Sequence, residues 1–113
     1  MLKIYTSNIK YSKGDVDRYD ITVKSGDTCF SPTWDMLIKI KSGEISRQEY
    51  KKQYIEQMRK SKLENPEKWK KLIERERVVL VCYCPSGVFC HRVLLAKMLE
   101  ISGVGKYEGE IEI

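Results

Sequence analysis

The residues most capable of chemistry are concentrated in one short segment, residues 82–92, which reads Cys-Tyr-Cys-Pro-Ser-Gly-Val-Phe-Cys-His-Arg. It holds all but one of the chain's cysteines and its single histidine. Thiolates are nucleophiles and metal ligands, imidazole exchanges protons near neutral pH, and guanidinium groups bind carboxylates and phosphates. We therefore expect the functional centre in this segment, with Cys84, Cys90 and His91 as the catalytic candidates.

Cys84 has the placement of a nucleophilic cysteine, because it ends a predicted strand and precedes a short turn into a predicted helix. Tyrosine phosphatases and rhodaneses place their cysteine nucleophile in this way. Their loops carry an arginine or a compact anion-binding set at the position where this chain has Cys90, and its own arginine, Arg92, comes later. Phosphatase or sulfurtransferase activity is therefore the less favoured hypothesis.

The charges at the start of the last predicted helix point to a bound anion. A helix dipole favours acidic residues in its first turn, yet His91 and Arg92 lie there with no acidic residue nearby. A phosphate could supply the negative charge, held by a forked contact with Arg92 and by free amide groups at the helix start. We expect these ligand-binding amides at Ser86, Gly87, Val88 and Phe89. The alternative is that Arg92 pairs with a carboxylate from elsewhere, such as Asp20 or Asp35.

The segment also contains the donors of a zinc site. Cys82, Cys84, Cys90 and His91 are a four-ligand set of the kind that structural zinc sites use. Against this, cysteines at alternate positions of an extended strand hold their sulfurs further apart than the usual zinc knuckle does, and Cys82 is expected in the core. We predict no cofactor and no metal ligand, and zinc is the alternative.

Two residues outside the segment are further ligand-binding candidates. Ser7, with Thr6 and Asn8, lies at the polar end of the first predicted strand, and it reaches the same crevice if that strand runs parallel to the central one. Trp34 lies near the start of another predicted helix. It could stack on a base or fill the core, and the core is the favoured interpretation.

The hydrophobic pattern predicts alternating strands and helices. Residues 78–84 form a continuous apolar run, typical of a central strand covered on both faces, and further strands are predicted at 2–9, 19–24 and 107–113. Helices are predicted from the Ser31-Pro32 pair to about Ser42, from Ser46, from the Asn65-Pro66 pair, and over 90–102. The fold is predicted to be a single Rossmann-like α/β domain over residues 1–113, with a small parallel or mixed sheet of about four strands and helices packed on it.

The second predicted helix has the clearest start. Ser46 and Glu49 form a capping box. Tyr50, Tyr54 and Met58 then repeat along one helix face, and this stripe is predicted to be core rather than a cofactor site.

A formal net charge of +5 and a pI near 9.0 favour anionic partners. Between Arg47 and Arg77, however, basic residues alternate with glutamates, as on solvated helix faces. Nucleic-acid binding is therefore a less favoured interpretation. The sequence shows no export leader and no apolar run of membrane length, which predicts a cytoplasmic protein without membrane contact, in the host cytoplasm if viral. The cysteines are expected as thiols there, and homo-oligomerisation is left open.

The chain resembles the family called domain of unknown function 488, in the short form found in microbes and their viruses. The resemblance is carried by residues 4–7, 19–25, 30–34 and 43–54, and above all by residues 81–92 with their Phe-Cys-His-Arg signature. It implies an α/β fold and a site at this segment, without implying a particular activity.

Three functional hypotheses follow. The leading one is a pocket for a phosphate-bearing small molecule, most plausibly a nucleotide or nucleotide derivative, with phosphoryl or ribosyl transfer or hydrolysis left open. The second is a non-catalytic viral binder that sequesters a host nucleotide signal. The third is a zinc-stabilised interaction module or nucleic-acid binder.

Overall fold

The computed structural model describes residues 1–84 and 90–113, which form four strands and four helices. The strands are β1 (Leu2–Asn8), β2 (Arg18–Asp20), β3 (Arg77–Cys82) and β4 (Gly105–Ile111). The helices are α1 (Trp34–Ser42), α2 (Arg47–Glu64), α3 (Pro66–Ile73) and α4 (His91–Ile101).

The four strands form one sheet in the order β2-β3-β1-β4, and every pairing between them is parallel. The α/β prediction is confirmed, with a parallel rather than a mixed sheet. β1 and β3 occupy the centre, and Asn8 lies opposite Cys82 in their register. Since parallel strands all end at the same edge, this edge of the sheet brings together the residues that follow β1, β2 and β3.

The strand predicted at 19–24 is too long, because β2 ends at Asp20. Asp20 turns the chain by accepting a hydrogen bond from the Thr22 amide at 2.9 Å, and the Gly26 amide then donates to the Thr22 carbonyl at 3.0 Å. A Cβ on Gly26 would lie 2.4 Å from the Asp20 carbonyl oxygen. The polar turn formers of this segment therefore outweigh its β-branched residues.

The helix starts follow the predicted caps with one exception. Ser46 caps α2 by accepting from the Glu49 amide at 3.1 Å, and Pro66 begins α3. The exception is α1, which begins at Trp34 rather than after Ser31, because the Thr33 hydroxyl accepts from the Met36 amide. Trp34 is 55% exposed on the first turn, so the prediction that it fills the core is wrong.

The core lies between the sheet and the helices. α4 packs on β1, β3 and β4, and α2 contacts α1, α3 and α4. The stripe predicted on α2 is buried as expected, and the β3 run from Val78 to Cys82 is at most 1% exposed. No helix in the described chain is both long enough and apolar enough to cross a membrane.

Candidate functional site

A cleft of about 390 Å³ lies where α1, α2 and α4 meet the end of β3. Its volume is within the range of small-molecule pockets, about 300–1,000 Å³. Its wall combines apolar side chains, two cations, a phenol, two thiols and the imidazole. The described residues that line it are Leu37, Ile40, Lys41, Ile45, Arg47, Tyr50, Cys84, Cys90 and His91.

Cys84 belongs to a cluster of three thiols behind this wall. Cys82 and Cys90 are buried, whereas Cys84 is partly exposed. Hydrogen bonds from the Cys82 and Cys90 thiols lower the pKa of Cys84 to about 3 against the opposing effect of burial, and the charges of Arg92 and Lys41 lower it further. The same hydrogen bonds, together with burial, raise the pKa of Cys90. The directions of these shifts favour Cys84, the most accessible sulfur of the three, as the thiolate.

His91 is held in one orientation by the backbone. Its Nε2 lies 2.7 Å from the Ile21 carbonyl oxygen, and a carbonyl can only accept, so Nε2 carries the proton. Nδ1 then has a free lone pair, which faces the Cys90 sulfur at 3.6 Å. Burial lowers the pKa of His91, so the ring is neutral at pH 7. This tautomer makes Nδ1 an acceptor or a metal ligand rather than an acid.

Arg92 is 1% exposed and forms a forked ion pair with Glu110 of β4. Its Nε donates to one carboxylate oxygen at 3.2 Å, and a terminal nitrogen donates to the other at 2.7 Å. The remaining terminal nitrogen donates to the Cys82 sulfur at 2.9 Å and to the Cys84 carbonyl at 2.8 Å. The carboxylate alternative raised for Arg92 is therefore correct in kind, but the partner is Glu110 and not Asp20 or Asp35.

The cations at the cleft are Lys41 and Arg47, both exposed side chains. Arg47 is the first residue of α2, and α4 begins at His91 on the wall of the same cleft, after an N-cap residue, Cys90, whose side chain makes no capping hydrogen bond. Amide groups at a helix start and nearby cations both favour an anion. The anion site therefore has support from these residues rather than from a free Arg92.

The other residues predicted for the site lie in different parts of the structure. Ser7 is fully buried in the sheet, where its hydroxyl donates to the Ile111 carbonyl at 2.6 Å. Trp34 is not among the described residues that line the cleft. The ligand-binding predictions for Ser86, Gly87, Val88 and Phe89 lie outside the described residues. The cleft thus unites Cys84, Cys90 and His91 but not Ser7 or Trp34.

A larger groove of about 690 Å³ lies between α2 and α3. Its described lining includes Leu63, Trp69 and several basic side chains, and contains no thiol or imidazole. Size alone would favour this groove, but its described lining has none of the thiol and imidazole groups that the sequence predicts for the site. We place the candidate site at the smaller cleft for this reason.

The thiol cluster also has a metal-binding geometry. The sulfurs of Cys82 and Cys90 and one ring nitrogen of His91 lie within 4.8 Å of one another, and all three residues are buried. β3 ends at Cys82, so Cys82 and Cys84 do not share an extended strand. Cys84 is nevertheless not among the donors that lie within 4.8 Å of one another, so the close group has three of the four predicted zinc donors.

Three residues that line the cleft, Lys41, Arg47 and Tyr50, were not predicted as site residues. Tyr50 was predicted for the core stripe and is buried there, and Arg47 was predicted for a solvated helix face. Arg47 opens a helix, where the dipole disfavours a cation, but Glu49 lies in the same first turn, so the signal is weaker than at Arg92, whose first turn has no acidic residue. No local sequence pattern pointed to Glu110, because its ion pair with Arg92 depends on the order of the strands in the sheet.

The family model described as "DUF488-N3a: Active DUF488-N3 subclade" matches residues 4–103. The chain belongs to the DUF488 family. The DUF488 match extends from β1 through α4, so it includes the cleft and the thiol cluster, whereas the whole of β4, with Glu110, lies beyond it. No curated protein and no solved structure matches the chain.

Proposed function

We propose that this DUF488 protein binds a phosphate-bearing small molecule, a nucleotide or nucleotide derivative, in the cleft at the end of β3. One observation carries the proposal: Lys41, Arg47 and the uncapped start of α4 converge on a single cleft of about 390 Å³. Cations and helix-start amides favour phosphate. The apolar residues Leu37 and Ile40 and the ring of Tyr50 offer surface for a base or sugar.

Cys84 is the nucleophile in the catalytic form of this proposal. It is the partly exposed thiol on the cleft wall, while Cys90 is buried. Its sulfur would bond to phosphorus or to the anomeric carbon of the ribosyl group, and the leaving group would depart with the electron pair of the broken bond. Water would then cleave the sulfur adduct and restore the thiol. The description of the subclade as active agrees with this form.

Binding without turnover is the second candidate, and the state of His91 favours it. Its Nε2 proton is engaged by the Ile21 carbonyl and its Nδ1 faces Cys90, so neither nitrogen is free to move a proton for a ligand in the cleft. A viral binder that sequesters a host nucleotide signal would need only the cations and the apolar wall. All four cysteines are free thiols, which suits the reducing cytoplasm that both forms assume.

The test is a thermal-shift screen against nucleotides and phosphorylated metabolites, with wild type, Arg47→Ala and Lys52→Ala compared at one salt concentration. Ligands that bind the folded state raise Tm, and Arg47→Ala should lose at least half of the shift. Lys52 is an exposed cation of the same helix that borders a different groove, so Lys52→Ala should retain the shift. The proposal fails if no compound shifts wild type, or if both variants respond alike.

Recovery of the bound compound distinguishes the two forms. Denaturing the loaded protein and identifying the released compound would give a product if Cys84 is a nucleophile, and Cys84→Ser would then bind without producing it. Release of the unchanged compound from wild type would support the binder.

A further inference from the structure

The three buried donors behind the cleft already have the composition of a zinc site. Cys82, Cys90 and His91 bring two sulfurs and an imidazole nitrogen within 4.8 Å of one another at the end of β3 and the start of α4. Thiolate and imidazole are the ligands that Zn²⁺ takes in proteins. All three residues are buried.

The orientation of His91 is the arrangement seen in metal-binding histidines. Such a histidine donates its other N–H to a backbone carbonyl or a carboxylate, which fixes the tautomer and aims the free nitrogen at the metal. His91 does this through Nε2 and the Ile21 carbonyl at 2.7 Å. Nδ1 therefore presents its lone pair on the side of the sulfurs.

The distance between two donors agrees with one ion between them. Zn–S bonds of about 2.3 Å and Zn–N bonds of about 2.0–2.1 Å at a tetrahedral angle place sulfur and nitrogen about 3.6 Å apart. The Cys90 sulfur and the Nδ1 of His91 are separated by 3.6 Å. This pair could bind the ion without moving apart.

Cys84 is the candidate for the fourth donor, since it lines the same cleft as Cys90 and one nitrogen of Arg92 bonds both the Cys82 sulfur and the Cys84 carbonyl. Its sulfur is not among the donor atoms that lie within 4.8 Å of one another, so its side chain must rotate to complete the site. Three thiolates and one Zn²⁺ would leave a single negative charge. Arg92 faces that charge by donating to the Cys82 sulfur at 2.9 Å. We propose that Cys82, Cys84, Cys90 and His91 bind one Zn²⁺ in a closed tetrahedral site, with Arg92 as a hydrogen-bond donor to the Cys82 thiolate.

The zinc site shares Cys84 with the catalytic form of the proposed function, but it does not require a ligand in the cleft. If both exist, the ion would keep Cys84 deprotonated at the cleft wall, because a coordinated thiol loses its proton. Metal content is measured without any cleft ligand, so failure of the zinc site would leave the thermal-shift result standing.

The experiment is Co²⁺ and Zn²⁺ titration of the reduced, untagged chain after chelator treatment. Wild type should bind one ion per chain, and the Co²⁺ form should show thiolate-to-cobalt charge transfer and the visible bands of tetrahedral coordination. Cys29→Ser is the matched control, because Cys29 lies outside the cluster. It should bind like wild type, whereas Cys84→Ser and Cys90→Ser should bind at least about ten-fold more weakly.

If Cys84→Ser or Cys90→Ser does not fold, alkylation of folded wild-type protein tests the zinc site instead. With Zn²⁺ bound, Cys82, Cys84 and Cys90 should be protected from iodoacetamide while Cys29 reacts, and chelator should expose Cys84 first. Substoichiometric binding by wild type, a Co²⁺ spectrum without charge transfer, or wild-type affinity in Cys84→Ser would overturn the four-ligand site.

Discussion

Arg92 is a buried cation, and its ion pair with Glu110 offsets the free-energy cost of burying the charge. A buried charge is costly unless it is paired and hydrogen-bonded. The forked contact supplies both, because two nitrogens of Arg92 each meet one oxygen of the carboxylate. The pair also ties β4 to the start of α4 and holds the guanidinium against the Cys82 sulfur. Glu110 is therefore a residue on which the geometry of the thiol cluster depends.

Replacing Glu110 with glutamine should destabilise the protein by about 3 kcal/mol, because it removes this carboxylate from a buried guanidinium. Urea unfolding at pH 7 would measure the loss. Glu108→Gln is the control, since Glu108 is an exposed residue of the same strand, and it should change stability by less than about 0.5 kcal/mol. Equal losses in the two variants would mean that the ion pair contributes little.

The sequence identifies Arg92 as unusual but not its partner. A cation in the first turn of a helix is anomalous wherever the helix lies, so Arg92 stands out without a structure. Glu110 becomes its partner only because β4 lies beside β1 and not at the other edge. Strand order depends on packing of the whole sheet, which a local pattern does not encode.

The turn after β2 positions His91 across the fold. It runs from Asp20 to Gly26, and its Ile21 carbonyl accepts the Nε2 proton of His91. Gly26 passes so close to the backbone of Asp20 and Thr22 that a Cβ there would lie 2.4 Å from one and 2.5 Å from the other. The imidazole orientation thus depends on a glycine far from it in sequence.

Gly26→Ala should cost at least about 2 kcal/mol, since backbone atoms cannot move aside as a flexible side chain can. It should also loosen the His91 hydrogen bond, seen as a shifted Nε2 proton resonance in NMR spectra. Gly14→Ala is the matched control, because its nearest neighbour would be the Ser12 hydroxyl at 3.9 Å. A stable Gly26→Ala with an unshifted resonance would show that the turn does not fix the imidazole.

Helices and strands could be predicted where a few neighbouring residues determine where they lie. The Ser46 cap, the proline at position 66 and the apolar run of β3 each act within a few residues. The Ser46 hydroxyl caps α2, Pro66 begins α3, and the strand predicted at 78–84 is confirmed as far as Cys82, where β3 ends. The turn after Asp20 was missed because side-chain hydrogen bonds compete with the strand. The cleft was predicted only on its Cys84, Cys90 and His91 side, because α1 and α2 reach it through their packing.

Three aspartates give the molecule a shared sensitivity to acid. A hydrogen bond from Tyr11 leads the effects that lower the pKa of Asp15. Burial would raise the pKa of Asp20 and of Asp27, but hydrogen bonds from neighbours outweigh it and the net shift is downward for both. A folded pKa below the unfolded value contributes stability above about pH 4, and this contribution is lost as pH falls through the folded value.

With a chelator present to remove metal, these three aspartates should leave the free energy of unfolding nearly unchanged between pH 7 and 5. The free energy of unfolding should then fall from about pH 5 towards pH 2. Asp27→Asn should make the fall shallower, because Asp27 accepts from Tyr19 at 2.6 Å and pairs with Lys68. Asp35→Asn should keep the wild-type slope, since Asp35 pairs with Lys39 at an exposed surface. Denaturant midpoints measured across this pH range would give the pH dependence of stability. An identical dependence in wild type, Asp27→Asn and Asp35→Asn would contradict the prediction.

The position of β1 sets the order in which the chain can be assembled during synthesis. β1 leaves the ribosome early, yet both of its neighbours, β3 and β4, come from the last part of the described sequence. Its unpaired edges must wait while α1, α2 and α3 are made, and contacts this distant in sequence form slowly. The nascent protein therefore exposes β1, with its Leu2 and Ile4 side chains, until β3 has been made, and its yield in cells should depend on chaperones that shield such strands.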